Sequence, residues 1–185
     1  GMADLEQDRP IDPATVFHVA SDSKRFTALA ILELEAAGAL SRDDDAALYL
    51  PELSQLSEAI TIRELLNHTS GLRDQWQLLG LSGSRPEDAV TTAEVLGLVG
   101  KQRELNFSPG HQFMYCNTGY TFLAEIVERV SGESFADFTT RTVFTPVGMR
   151  NTQFVDDLRL VIEGRASSYR SDGGNFSFEP MNYAV

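Results

Sequence analysis

Apolar residues recur at helical spacing in several separate stretches of the chain. Phe26, Leu29, Ala30, Leu32 and Leu34 mark an amphipathic helix over 23–37, and Gly38 is placed to end it. Thr61-Ile62-Arg63-Glu64 has the form of a capping box, predicting a short helix over 62–68. Thr91-Thr92-Ala93-Glu94 repeats the form and predicts a helix to about residue 99. Asn117 is suited to cap a helix running to about residue 130, with Gly132 as its stop. A last helix is expected over 134–144. Residues 15–20 read as a short extended segment. Pro51 argues for a loop over 48–53, and 41–45 reads as an acidic turn. The Gly- and Ser-rich stretch 69–86, which holds the only tryptophan, Trp76, reads as a long surface excursion. The tail, 167–185, reads as irregular, with weak alternation over 175–178. The sum is a mainly helical chain with very few strands, forming one partial domain over 1–185.

Composition narrows the function classes. The chain has 185 residues, of which 42% are hydrophobic, enough for one core. A net charge of −12, with Lys24 and Lys101 the only lysines, argues against a nucleic-acid partner, since phosphate binding needs clustered cations. No run of about 18 apolar residues is present, so no membrane-spanning helix is expected. Cys116 is the single cysteine, so the compartment is left open. It reads as a small buried filler. His18, His68 and His111 fit no zinc spacing and read as structural hydrogen-bonding residues.

Two segments carry candidate chemistry. Ser21 and Lys24 lie one helical turn apart, so a serine nucleophile and a lysine base would share one face of a helix start. The free N–H groups and dipole there favour developing negative charge, and the Ser21 N–H is a candidate oxyanion donor. The spacing alone has low specificity; an N-cap serine beside a solvated lysine has the same form. Tyr115 and Asn117 are two apart, so in an extended approach to a helix they point to one side. A phenol can relay a proton and an amide can grip a lysine and a carbonyl. A Tyr packed on the core beside an N-capping Asn is the alternative.

Together these segments resemble the serine β-lactamase family, in the branch of class C β-lactamases, D-alanyl-D-alanine carboxypeptidases and esterases. The resemblance is carried in order by Phe17-His18-Val19-Ala20-Ser21-Asp22-Ser23-Lys24, by Leu65-Leu66-Asn67-His68-Thr69-Ser70-Gly71-Leu72, by Tyr115-Cys116-Asn117-Thr118-Gly119-Tyr120 and by Pro146-Val147-Gly148-Met149. It implies an acyl-enzyme on Ser21, general-base work shared by Lys24 and Tyr115, and substrate contact by Asn117, with no metal or cofactor. The implied substrate is a small acyl compound: a β-lactam, a D-Ala peptide or an ester. It also implies the helical lobe of an α/β β-lactamase/transpeptidase-like fold with most of the β-sheet missing. The family's third motif, Lys-Thr-Gly or His-x-Gly, does not occur in these residues at a strand. An impaired or inactive fragment is therefore expected, with a non-catalytic binding module or an inert truncation product as the alternatives. Uncovered apolar faces on the Phe26 and Phe122 helices would favour a homo-oligomer.

Overall fold

The computed structural model describes residues 1–85, 88–155, 157 and 159–179. Strand β1 (Met2–Asp4) pairs antiparallel with β2 (Arg9–Pro10). Helices follow: α1 (Lys24–Ala36), α2 (Ile62–Leu66), α3 (Gln75–Leu81), α4 (Thr92–Val99), α5 (Asn117–Ser131) and α6 (Phe135–Thr139). A single π turn, Thr140–Phe144, extends α6. Strands β3 (Tyr169–Asp172) and β4 (Asn175–Phe178) close the described chain as a hairpin. The two hairpins are separate two-stranded sheets.

The core lies between α1 and α5. Ala30 and Ile31 of α1 and Phe122, Leu123, Ile126 and Val127 of α5 are completely buried. Helix α2 packs on α5 through Leu65, and Gly119 permits the approach: a Cβ there would lie 3.3 Å from the Leu65 carbonyl oxygen. Both capping boxes form. Glu64 N–H donates to Thr61 Oγ1 at 3.2 Å and Thr61 N–H to Glu64 Oε2 at 2.7 Å. Thr91 and Glu94 repeat the exchange at 3.3 and 2.8 Å. Gly132 ends α5 in the left-handed conformation that glycine adopts without Cβ strain.

Several expectations are corrected. The extended segment over 15–20 shrinks to one bridge, Val16 with Arg165. Past it the chain turns left-handed at Ala20 (φ +46°) and enters a 3-10 turn, Ala20–Ser23. The loop over 48–53 is largely two 3-10 turns, Ala46–Leu48 and Pro51–Gln55, the second starting on Pro51, where a missing N–H costs nothing. The surface excursion over 69–86 holds α3. Its side chains Gln75, Leu78 and Leu79 are buried, as are Ser70, Leu72 and Asp74 before it. Asp74 caps this helix by accepting the Trp76 N–H at 3.0 Å. The irregular tail contains the β3–β4 hairpin, because Gly173-Gly174, both at positive φ, supply the two-residue turn a hairpin favours; 180–185 lie outside the described residues. Finally, Phe122 is fully buried, so α5 offers no uncovered apolar face there. Phe26 packs edge-on against Phe144, while Leu29 and Leu32 on α1 remain 39% and 40% exposed.

Candidate active site

The N-terminal ends of α1 and α5 converge. The 3-10 turn that opens α1 carries Ser21, and Lys24 is the first residue of the α-helix proper. Lys24 Nζ donates to Ser21 Oγ at 3.1 Å and to Asn117 Oδ1 at 2.9 Å. The Tyr115 hydroxyl donates to Ser21 Oγ at 2.8 Å. The ammonium also lies 5.0 Å from the Tyr115 ring centre and 5.6 Å from that of Tyr120, where the ring quadrupoles attract it. All four residues singled out in the sequence thus meet, although Ser21 and Tyr115 are 94 positions apart.

Asn117 reaches this place by a route other than capping. Cys116 is the N-cap of α5, in an extended conformation, and Asn117 is the first helical residue. Its side chain is held from behind by Asp74. Asp74 Oδ2 accepts the Asn117 backbone N–H at 2.6 Å and the amide Nδ2–H at 2.8 Å. An amide with its NH₂ drawn to a carboxylate must turn its oxygen the other way, toward Lys24. Asp74 is therefore a site residue that sequence reasoning missed. Its signal was that of a helix N-cap before Gln75-Trp76-Gln77-Leu78-Leu79, hidden by the turn-forming residues on both sides.

His68 is the second omission. It ends the turn after α2 in a left-handed conformation (φ +57°). Its ring lies 4.5 Å from Tyr115 and 5.1 Å from Tyr120, centre to centre. Its Nδ1 accepts the Cys116 N–H at 3.2 Å, and its carbonyl accepts the Met114 N–H at 2.9 Å. Both neighbours of Tyr115 are thereby tied to His68. Gly71, three residues on, has φ +73° and a Cβ there would overlap the Phe107 carbonyl oxygen, so this turn requires glycine.

The electrostatics follow from the geometry. Burial opposes ionisation of Tyr115, but hydrogen bonds with Lys24 and Ser21 and the Lys24 charge outweigh it, so its pKa falls below 10. Burial, with the Lys24 charge, pushes His68 below 6.5. Burial pushes the Cys116 thiol up, against nucleophilic use. Beside Ser21 and Lys24 a cavity of about 640 Å³ opens inward, walled by Trp76, Leu79, Val90, Ala124, Phe135 and Phe154. Among the described residues no group of three His, Cys, Asp or Glu is arranged to hold a metal. Nor, among them, is any helix long and apolar enough to cross a membrane.

Comparison with known proteins places the chain in a family. The chain is 39% identical to penicillin-binding protein 4* of Bacillus subtilis (strain 168) over 153 residues, 83% of this chain and 34% of that protein. It is 30% identical to a D-aminopeptidase of Brucella anthropi over 172 residues, 93% of this chain and 32% of that one. It thus spans about a third of the length of these curated relatives. The solved octameric penicillin-binding protein homologue from Pyrococcus abyssi superposes with a TM-score of 0.84 at 28% identity, covering 100% of this chain and 43% of that one. The family model for the β-lactamase domain matches residues 1–183. With the β-lactamase-like fold and the converging helix ends described above, the chain belongs to the β-lactamase family of serine hydrolase-like proteins.

Proposed function

We propose that Ser21 is the nucleophile of an acyl-transfer site acting on small acyl compounds of the β-lactam, D-amino-acid peptide or ester type. The single observation behind this reading is that Ser21 Oγ receives both the Lys24 amine and the Tyr115 hydroxyl at hydrogen-bond distance. With Tyr115 as phenolate, its contact with Ser21 reverses and Ser21 becomes the donor. Ser21 Oγ then attacks the acyl carbonyl carbon and its proton passes to Tyr115, with Lys24 stabilising the phenolate. Collapse of the tetrahedral intermediate breaks the bond to the leaving amine or alkoxide, which takes that proton. Water, deprotonated by the same pair, releases the acid and restores Ser21. Asn117 holds Lys24 and faces the substrate, and the Ser21 N–H at the helix start is the proposed oxyanion donor.

Within these 185 residues we place one partial domain, the helical lobe; among the described residues no strand bears the third motif. Losing one oxyanion donor typically costs about 10²–10³ in kcat, and the wall of the cleft that such a strand supplies positions the substrate as well. The chain is therefore expected to acylate slowly and turn over poorly. Incubation with a fluorescent penicillin or fluorophosphonate, followed by peptide mapping, tests this. Label on the Ser21 peptide, absent from Ser21→Ala, supports the reading; label elsewhere refutes it. Turnover of a p-nitrophenyl ester by residues 1–185 above that of Ser21→Ala would show that the site is complete without further strands.

A further inference from the structure

We infer that His68 is a positioning residue whose neutral imidazole holds Tyr115 against Ser21, so that protonation of His68 releases the tyrosine. The inference rests on the acyl-enzyme reading but starts from a separate observation. A backbone N–H can only donate. The Cys116 N–H therefore needs a lone pair on His68 Nδ1, and the ring proton sits on Nε2. The ring also packs on Tyr115, 4.5 Å between centres and tilted by 36°. With the His68 carbonyl taking the Met114 N–H, the residues on both sides of Tyr115 hang from one residue.

Protonation changes this in two ways. Nδ1 gains a hydrogen and can no longer accept, which leaves the Cys116 N–H facing a donor. An imidazolium also appears beside Tyr115, where Lys24 already places a positive charge. The groups facing the ring are Lys24 from α1, the phenols of Tyr115 and Tyr120, and Phe113 in edge contact. The carboxylates on the flanking segments are engaged elsewhere: Glu64 by Thr61, Asp74 by Asn117 and Trp76. Among the described residues, neither of these carboxylates is hydrogen-bonded to the ring to pair with an imidazolium. The electrostatic direction agrees, since His68 is already pushed below 6.5 by burial and by Lys24.

His68→Asn separates holding from titration. Asparagine tolerates the left-handed backbone at this position. Its Oδ1 stands where Nδ1 stands and accepts the same N–H at every pH. Two measurements decide the matter. In a ¹⁵N-labelled chain the Cys116 amide should shift with the His68 ring at a common midpoint below 6.5, and should stay flat in His68→Asn. Ser21 labelling by a fluorophosphonate should fall more steeply with acid in the wild type than in His68→Asn. At pH 8 the two should agree within about 3-fold, while His68→Ala is slower at every pH. A Cys116 amide indifferent to the His68 titration, or an identical acid limb in His68→Asn with an unchanged melting profile, overturns the proposal. If Ser21 is not labelled at any pH, the acyl-enzyme reading fails, and the amide titration alone decides whether His68 holds the Tyr115 segment.

Discussion

Helices α1 and α5 each do two jobs, at opposite ends. Their bodies are dry: Ala30, Ile31, Phe122 and Ile126 are 0% exposed. Their N-termini meet in the open, with Tyr115 46% exposed and Ser21 also facing solvent. The bodies are held by apolar burial, which is non-directional and tolerates small repacking. The ends are held by a few directed hydrogen bonds among Ser21, Lys24, Asn117, Asp74, Tyr115 and His68, each with a definite donor and acceptor. Stability and chemistry should therefore be separable by mutation along the same two helices.

The largest expected effect is at the ends. Lys24→Ala removes the amine from Ser21 and Asn117 and should slow Ser21 labelling by about 10²–10⁴-fold, as loss of a general base does. Its thermal midpoint should hardly move, since the side chain is only partly buried. A large drop in melting temperature would mean that the site helps to support the fold. The converse variant, Phe122→Ala, should cost about 3–5 kcal/mol in denaturant unfolding. Labelling per folded molecule should survive, because α5's first turn is anchored separately through Asp74. If labelling fails while the protein is still folded, body and ends are coupled after all.

Asp74→Ala should fall between the two classes. It strands the Asn117 N–H and Nδ2–H and uncaps α3, at a cost of about 1–3 kcal/mol. It should also slow labelling, because the Asn117 amide is then free to turn its NH₂ toward Lys24. Unchanged labelling would show that Lys24 fixes the amide unaided.

A pH profile sharpens the role of Tyr115. Its pKa lies below 10 when folded, and in the proposed reaction the phenolate is the form that accepts the Ser21 proton. The labelling rate should therefore rise with pH and level off below pH 10. Tyr115→Phe should lose that rise. The smallest effect belongs to Ala20. Its φ of +46° is strained for a residue with a Cβ. Ala20→Gly should raise stability by up to about 1 kcal/mol, while slightly slowing labelling if the strained turn helps hold Ser21.

The parts of this arrangement that were legible in the sequence are those encoded within one turn of chain. Thr61 and Glu64, Thr91 and Glu94, and Gly132 announce helix ends because their partners are three or four residues away. The Ser21–Lys24 pair is legible for the same reason. The meeting with Tyr115 and Asn117 is not, since no local pattern encodes an approach across 94 positions; family resemblance alone brought those segments together. Helix α3 is hard to read from sequence because Gly71, Ser82 and Gly83 flank, and Gly80 interrupts, a seven-residue helix whose burial depends on α4 and α5. Of the two readings of Asn117, the cap gives way to the amide that grips Lys24. Here Asp74, a residue from another segment, claims its amide.

The distance along the chain between Ser21 and Tyr115 also has a consequence in time. A ribosome adds roughly 5–20 residues per second, so the serine and its lysine emerge about 5–20 s before the tyrosine, given a gap of 94 positions. Through that interval Ser21 is an ordinary hydroxyl on a nascent helix. On the proposed reading, its hydroxyl gains its partners only when α5 docks and brings Tyr115 and Asn117 with it, so the act of folding is also the act of assembling the candidate site.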